Sequence, residues 1–316
     1  MSLFARTDAD RRAEPRLGRR LRFPARATEV ATSDGVFPEP LERRTKARPP
    51  LHFQRIELKY FLPERMLPHF IERLSPYTNV DPYLVREGRG RTSYPVTSLY
   101  FDSWDVQAWD EKENGQHFRR KIRLRTYEEE FAKNDSSFLE IKRRLDSVVM
   151  KDRLSLPRGT ITPDVSMSGL MRHLLSRVEK PDRTFQEAQM MRGWLNLQPT
   201  ALVRYQRLAL VGKEDPNTRV TVDRRLQGTW KPAHLLGVVP MRTIDALLAT
   251  GMSGVSGRYG LLELKCNNVV PGWFHTVVQD LELMRTAYSK YYLVVMGLRP
   301  QLYEDCEPGF VSVGGF

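Results

Sequence analysis

The chain has 316 residues, 41% of them hydrophobic, and carries 50 Lys and Arg against 38 Asp and Glu, a formal net charge of +12. That apolar content is enough for a core without covalent staples, and two cysteines, Cys266 in an apolar run and Cys306 near the end, exclude a disulfide scaffold and fit a reducing compartment. No run approaches the roughly 20 apolar residues of a membrane span and no signal-peptide core is visible, so a soluble cytoplasmic protein with anionic partners is expected.

Residues 1–50, with Arg11, Arg12, Arg16, Arg19, Arg20, Arg22 and Arg26 followed by Pro38, Pro40, Pro49 and Pro50, read as a flexible basic tail. A solvated extension is the simpler reading of it; an electrostatic tether to nucleic acid or lipid is the sharper one. Asp8, Asp10 and Glu14 argue against a transit peptide. From Phe53 the period becomes two and recurs, which predicts an antiparallel β domain over 51–300 with a C-terminal extension over 301–316. The expected strands are 53–61, 96–102, 117–127, 136–145, 147–156, 200–212, 218–226 and 258–268, about eight and enough to close a barrel. Helices are expected at 64–74, 166–179, 240–250 and 272–287, and a tight hairpin around Asp146 and Ser147. The fold class is therefore α+β: an eight-stranded antiparallel β-barrel with peripheral helices.

Charge falls on one face of strand after strand. HFRRKIRLRTY places Arg119, Lys121, Arg123, Arg125 and Tyr127 together, opposite Ile122 and Leu124. FLEIKRRL groups Phe138, Glu140, Lys142 and Arg144; FQRIELKYF groups Arg55, Glu57 and Lys59; RYGLLELKCNN groups Glu263 and Lys265. Tyr205 shares a face with Arg207, and Arg219 with Thr221 and Asp223. For any single strand, a solvated outer face explains this pattern. Taken together, cations so outnumber acids that a closed interior lined by them requires a polyanion, and extended phosphate chains match the forked donors of Arg and the point charge of Lys. Among these cations Glu263 and Glu57 become hard oxygen ligands for Mg²⁺ or Mn²⁺, whereas Glu140 is better read as an ion-pair partner. His52, His69, His117, His173, His234 and His275 lack ligand spacing and read as surface or packing residues. Gly88 and Gly90 lack the strand–turn–helix context of a phosphate loop, and no nucleophile triad is legible. Helix 272–287 reads as a packing helix, with Ser289 and Lys290 following at its end and Lys290 either capping it or reaching the interior.

The ordered series IELKYF, SLYFD at 98–102, KIRLRTY at 121–127, LEIKRR at 139–144, VRYQR at 203–207, RVTVD at 219–223, LLELK at 261–265 and AYSKY at 287–291 resembles the VTC domain. This is the polyphosphate polymerase branch of the triphosphate tunnel metalloenzyme, or CYTH-like, superfamily. The resemblance covers about 53–300 and implies an eight-stranded tunnel holding a divalent metal, Mn²⁺ or Mg²⁺, with ATP and polyphosphate as partners and no specific nucleic acid. Carried over by motif, Lys59, Lys121, Arg123, Arg125, Lys142, Tyr205, Arg207, Arg219, Lys265 and Lys290 would grip phosphates, Glu263 and Glu57 would hold metal, and Lys59, Arg207 and Glu263 would serve catalysis. The implied reaction is transfer of the terminal phosphoryl group of ATP to a polyphosphate chain. A triphosphate or tripolyphosphate hydrolase of the same fold and a non-catalytic polyanion binder are the alternatives. The superfamily's Glu-x-Glu-x-Lys opening has Arg55 at its first position here, which weighs against hydrolysis through two first-strand glutamates. No regulatory domain or membrane helix of the eukaryotic polymerases is recognisable, so coupling to transport is not expected within this polypeptide.

Overall fold

Alternating β-branched, aromatic and charged residues build one antiparallel sheet. The computed structural model describes residues 55–86, 93–132, 136–145, 148–245 and 258–299, and these contain ten strands. They are β1 (Arg55–Pro63), β2 (Thr78–Val80), β3 (Tyr94–Asp102), β4 (Phe118–Thr126), β5 (Ser137–Leu145), β6 (Val148–Leu156), β7 (Gln198–Gly212), β8 (Arg219–Trp230), β9 (Arg242–Thr243) and β10 (Tyr259–Asn267). The helices are α1 (Leu67–Leu74), α2 (Pro82–Arg86), α3 (Gln107–Glu113), α4 (Leu170–Ser176), α5 (Arg183–Leu195), α6 (Gly272–Asp280) and α7 (Lys290–Leu298). None of the described helices is long and apolar enough to cross a membrane.

The sheet runs β1-β10-β8-β7-β3-β4-β5-β6, with β2 added to β7 and β9 to β8. It curls, because Glu57 on the first strand of this order stands 3.6 Å from Lys142 on the penultimate one. No ladder among the described residues joins β1 to β6. The outer edge of β1 is covered instead by residues 284–286, through Phe61 N–H to Met284 O (3.3 Å) and Thr286 N–H to Lys59 O (2.8 Å). The barrel expected from sequence is thus a curled sheet with one unladdered seam. It has ten strands rather than eight, since β2 and β9 are too short to show alternation.

The convex face is apolar and carries helices. Leu99, Ile122, Leu124, Leu139, Ile141 and Leu154 pack under α4 and α5, and Leu208, Leu210, Val220, Val222, Leu262 and Leu264 under α1 and α6. A third cluster lies inside the curl, where α7 presents Tyr291, Val294 and Val295 to Phe61, Tyr100, Ala201, Val203 and Leu261. The contact is close: a Cβ at Gly228 on β8 would overlap the Val294 side chain. Buried apolar area of this kind, at about 25 cal/mol per Å², is what holds α7 inside.

The helices differ most from expectation. The helix expected over 272–287 ends at Asp280, where Glu282 takes a left-handed backbone (φ 48°), and a new helix starts at Lys290. The helix expected over 166–179 is confined to Leu170–Ser176, and α2, α3 and α5 fall outside the expected helices. Of the helix expected over 240–250, residues 242–243 form β9, while 246–250 lie outside the described residues. The basic segment 1–50, Gly88 and Gly90, the Asp146–Ser147 turn and residues 301–316 also lie outside them.

Candidate functional site

Antiparallel register puts partners on the same face, so the inner wall can be read as cross-strand rows. One row runs Glu57–Lys265–Arg219 over β1, β10 and β8, and the next Lys59–Glu263–Thr221. On the opposite wall, Arg123–Glu140–Arg153 and Lys121–Lys142–Lys151 cross β4, β5 and β6. Tyr94, Arg207 and Asp223 align over β3, β7 and β8.

Three knots of charge result. Glu140, 1% exposed, accepts from Arg123 (2.9 Å) and Arg153 (2.6 Å), with Lys151 at 2.7 Å and Arg125 at 3.5 Å. Burial alone would raise its pKa, but these cations, Arg123 foremost, hold it well below the usual carboxylate range. Asp223 is also 1% exposed; Arg207 binds it through two guanidinium nitrogens (2.6 and 2.8 Å), and Lys290 Nζ lies at 2.7 Å. It too is held low against the effect of burial. The start of α7 therefore faces the interior, with Lys121 donating to Ser289 Oγ (3.2 Å) and Lys59 to the Tyr288 carbonyl (2.9 Å).

The third knot is looser. Glu57 has Lys59 at 3.6 Å, Lys142 at 3.6 Å and Lys265 at 3.9 Å, yet its Oε1 is buried without a hydrogen bond. Glu263 shares two of these partners, Lys265 at 3.2 Å and Lys59 at 3.9 Å. Despite burial, the lysine charges keep Glu57 strongly acidic. No group of three His, Cys, Asp or Glu side chains suited to a metal occurs among the described residues. Two neighbouring carboxylates with an orphaned oxygen nevertheless fit an ion such as Mg²⁺, which is bound through one or two carboxylates and completes its shell with water and phosphate oxygens.

Crowding depresses the lysines. Burial takes Lys59 to about 8, Lys121 to about 7 and Lys151 to about 8, and lowers Lys142 well below its ordinary value. Tyr205 moves the other way from an ordinary buried phenol: Arg207 and Arg125 overcome the effect of burial and lower its pKa. Its hydroxyl accepts from Arg125 at 3.5 Å.

Lys59, Lys121, Arg123, Arg125, Lys142, Tyr205, Arg207, Lys265, Lys290, Glu57 and Glu263 are thus all brought to the inner wall. Arg219 differs, with its side chain 54% exposed and 3.9 Å from Asp81 at one mouth. Asp223 was visible in RVTVD but not as the anchor of Arg207 and Lys290, because its second partner lies 67 residues away on a helix that alternation did not reveal. His173 bonds the Thr160 carbonyl (2.7 Å) and His234 that of Leu236 (2.9 Å).

Among solved structures, the chain is similar to a candidate adenylate cyclase from Bacillus halodurans (12% identity, TM-score 0.39, 75% of this chain and 95% of that one). It is also similar to a candidate adenylyl cyclase from Hippeastrum with a dominant triphosphatase activity (14%, TM-score 0.41, 77% and 96%). No curated protein matches it. The VTC domain profile matches residues 54–297, and the chain belongs to that family.

Proposed function

We propose that the protein is a metal-dependent phosphotransferase that passes the terminal phosphoryl group of ATP to a polyphosphate chain held within the curled sheet. The observation that carries this reading is the imbalance of the inner wall among the described residues, where Glu57, Glu140, Asp223 and Glu263, with Asp102 near Lys121, face a larger set of Lys and Arg. Buried like charges raise each other's free energy, and a linear polyanion relieves them. VTC family membership supports the same substrate class.

In this reading Arg123 and Arg125 bind phosphate oxygens from one wall and Arg207 and Lys290 from the other, fixing donor and acceptor phosphates end to end. Positioning of this kind supplies most of the rate in phosphoryl transfer, where little covalent work falls to the protein. Glu57 and Glu263 would hold Mn²⁺ or Mg²⁺, and the bound ion would neutralise charge on the transferring group. Lys59 pairs with both carboxylates, 3.6 Å from Glu57 and 3.9 Å from Glu263, and would donate to the group in transit. The row of Lys121, Lys142 and Lys151 crosses β4, β5 and β6, with Lys142 and Lys151 36% and 39% exposed at their side chains, and offers a growing chain a cationic path towards solvent. A cytoplasmic setting, which supplies ATP, suits this activity.

The test is incubation with ATP and Mn²⁺, following free phosphate and polyphosphate together, alongside Glu263→Gln. The wild type is expected to make polymer and the variant to lose at least about 100-fold, the scale seen when one transition-state charge partner is removed. Free phosphate without polymer would establish the hydrolase, and tight polyphosphate binding without turnover would establish the binder.

A further inference from the structure

One mouth of the charged interior is lined by aromatic rings. Tyr94 on β3 is in register with Arg207, and Phe138 on β5 with Arg125, so both stand on the inner wall at its edge. Tyr127 follows β4, and Tyr83 lies on α2. The four rings form one set, with Tyr83 centred 5.1 Å from Tyr94 and 6.0 Å from Tyr127, and Tyr127 6.1 Å from both Tyr94 and Phe138. All meet at steep angles of 50–66°, an edge-to-face arrangement that does not stack them on one another.

Two cations tie this set to the site. Arg153 lies 4.4 Å over the Phe138 ring and donates to the Tyr127 hydroxyl (2.8 Å) while also bonding Glu140 in the interior. On the other side, Asp81 accepts from the Tyr83 backbone N–H (2.9 Å) and faces Arg219 with its second oxygen. Tyr83 is 38% exposed, the most open of the four rings. At the other end, the inner wall is packed by α7.

From this geometry we infer that the aromatic mouth is a nucleobase subsite, which stacks the purine of a nucleoside triphosphate on Tyr83 while its phosphates run inward to Arg153 and Arg207. The inference rests on the phosphotransferase reading and adds to it what selects the donor. An all-phosphate ligand has no use for rings, whereas a base offers a π-face to Tyr83 and ring nitrogens to the tyrosine hydroxyls and to Arg219. Purines, with the larger face, are favoured over pyrimidines.

Calorimetric binding of ATP, CTP and tripolyphosphate to the full chain tests it, using wild type, Tyr83→Ala and Tyr83→Phe. The expected result is that Tyr83→Ala weakens ATP about tenfold and leaves tripolyphosphate within about twofold, that Tyr83→Phe retains ATP affinity, and that wild type prefers ATP to CTP. Equal losses of ATP and tripolyphosphate in Tyr83→Ala would make Tyr83 a packing residue and overturn the inference, as would an unchanged ATP affinity. If the wild type bound tripolyphosphate but bound ATP no more tightly than CTP, the subsite alone would fall. Absence of binding to all three would remove the phosphotransferase reading itself.

Discussion

Lys59, Lys121 and Lys151 sit where burial already strips part of their charge near neutral pH, with values of about 8, 7 and 8. A phosphate chain placed beside them favours the protonated form and raises those values. Between the free and bound values the complex holds more protons than its separate parts, so binding takes protons up and weakens as pH rises. We expect about one to two protons absorbed per tripolyphosphate at pH 8, and an affinity falling by up to about tenfold per pH unit for each proton, from pH 7 to 9. Calorimetry in two buffers of different ionisation enthalpy reads the proton number directly. A pH-independent affinity would mean that these lysines stay out of the binding step.

At the scale of elements, the strands declared themselves and the helices did not. A strand with one charged and one apolar wall has a period of two whichever wall faces water, so IRLRTY and EIKRRL could be placed without knowing the fold. For the same reason alternation could not tell inside from outside, and only the weight of cations suggested that the charged wall was the inner one. Helix α7, KYYLVVMGL, is apolar all round and has no helical stripe to read, because it is packed inside the curl. Helix α5 hides for the opposite cause, its charged, small and apolar residues being scattered around the cylinder. The break after α6 was invisible because Leu281 and Met284 continue the apolar spacing past the left-handed Glu282. The packing of α7 makes a direct prediction. Gly228→Ala puts a methyl group into Val294, and overpacking of this kind costs about 1–3 kcal/mol. Since α7 carries Lys290 at its first position, the variant should lose affinity for tripolyphosphate along with stability, while Gly193→Ala, inside α5 with open space around its Cβ, should leave affinity unchanged and gain up to about 1 kcal/mol of stability. Urea denaturation and binding on the same samples decide the point.

For the whole molecule, a wall of repelling cations means that the empty protein holds free energy which a ligand releases. A ligand that binds only the folded chain adds about 2.7 kcal/mol at one hundred times its Kd. Tripolyphosphate at that level should therefore raise the thermal midpoint by several degrees, whereas sodium chloride of equal ionic strength, which only screens, should give a much smaller shift. Differential scanning calorimetry separates the two. An equal response to both would mean that the inner wall senses ionic strength and not phosphate chains.

The seam between β1 and β6 has no ladder among the described residues. Along the rest of the order the circumference is set by rows of backbone hydrogen bonds, whereas the Glu57–Lys142 pair joins β1 to β5 across the interior through side chains alone. Such a wall is a buckled strap rather than a hoop. Letting it out a notch would lengthen an ion pair and break no strand ladder among the described residues, while residues 284–286 cover the strap's edge on β1.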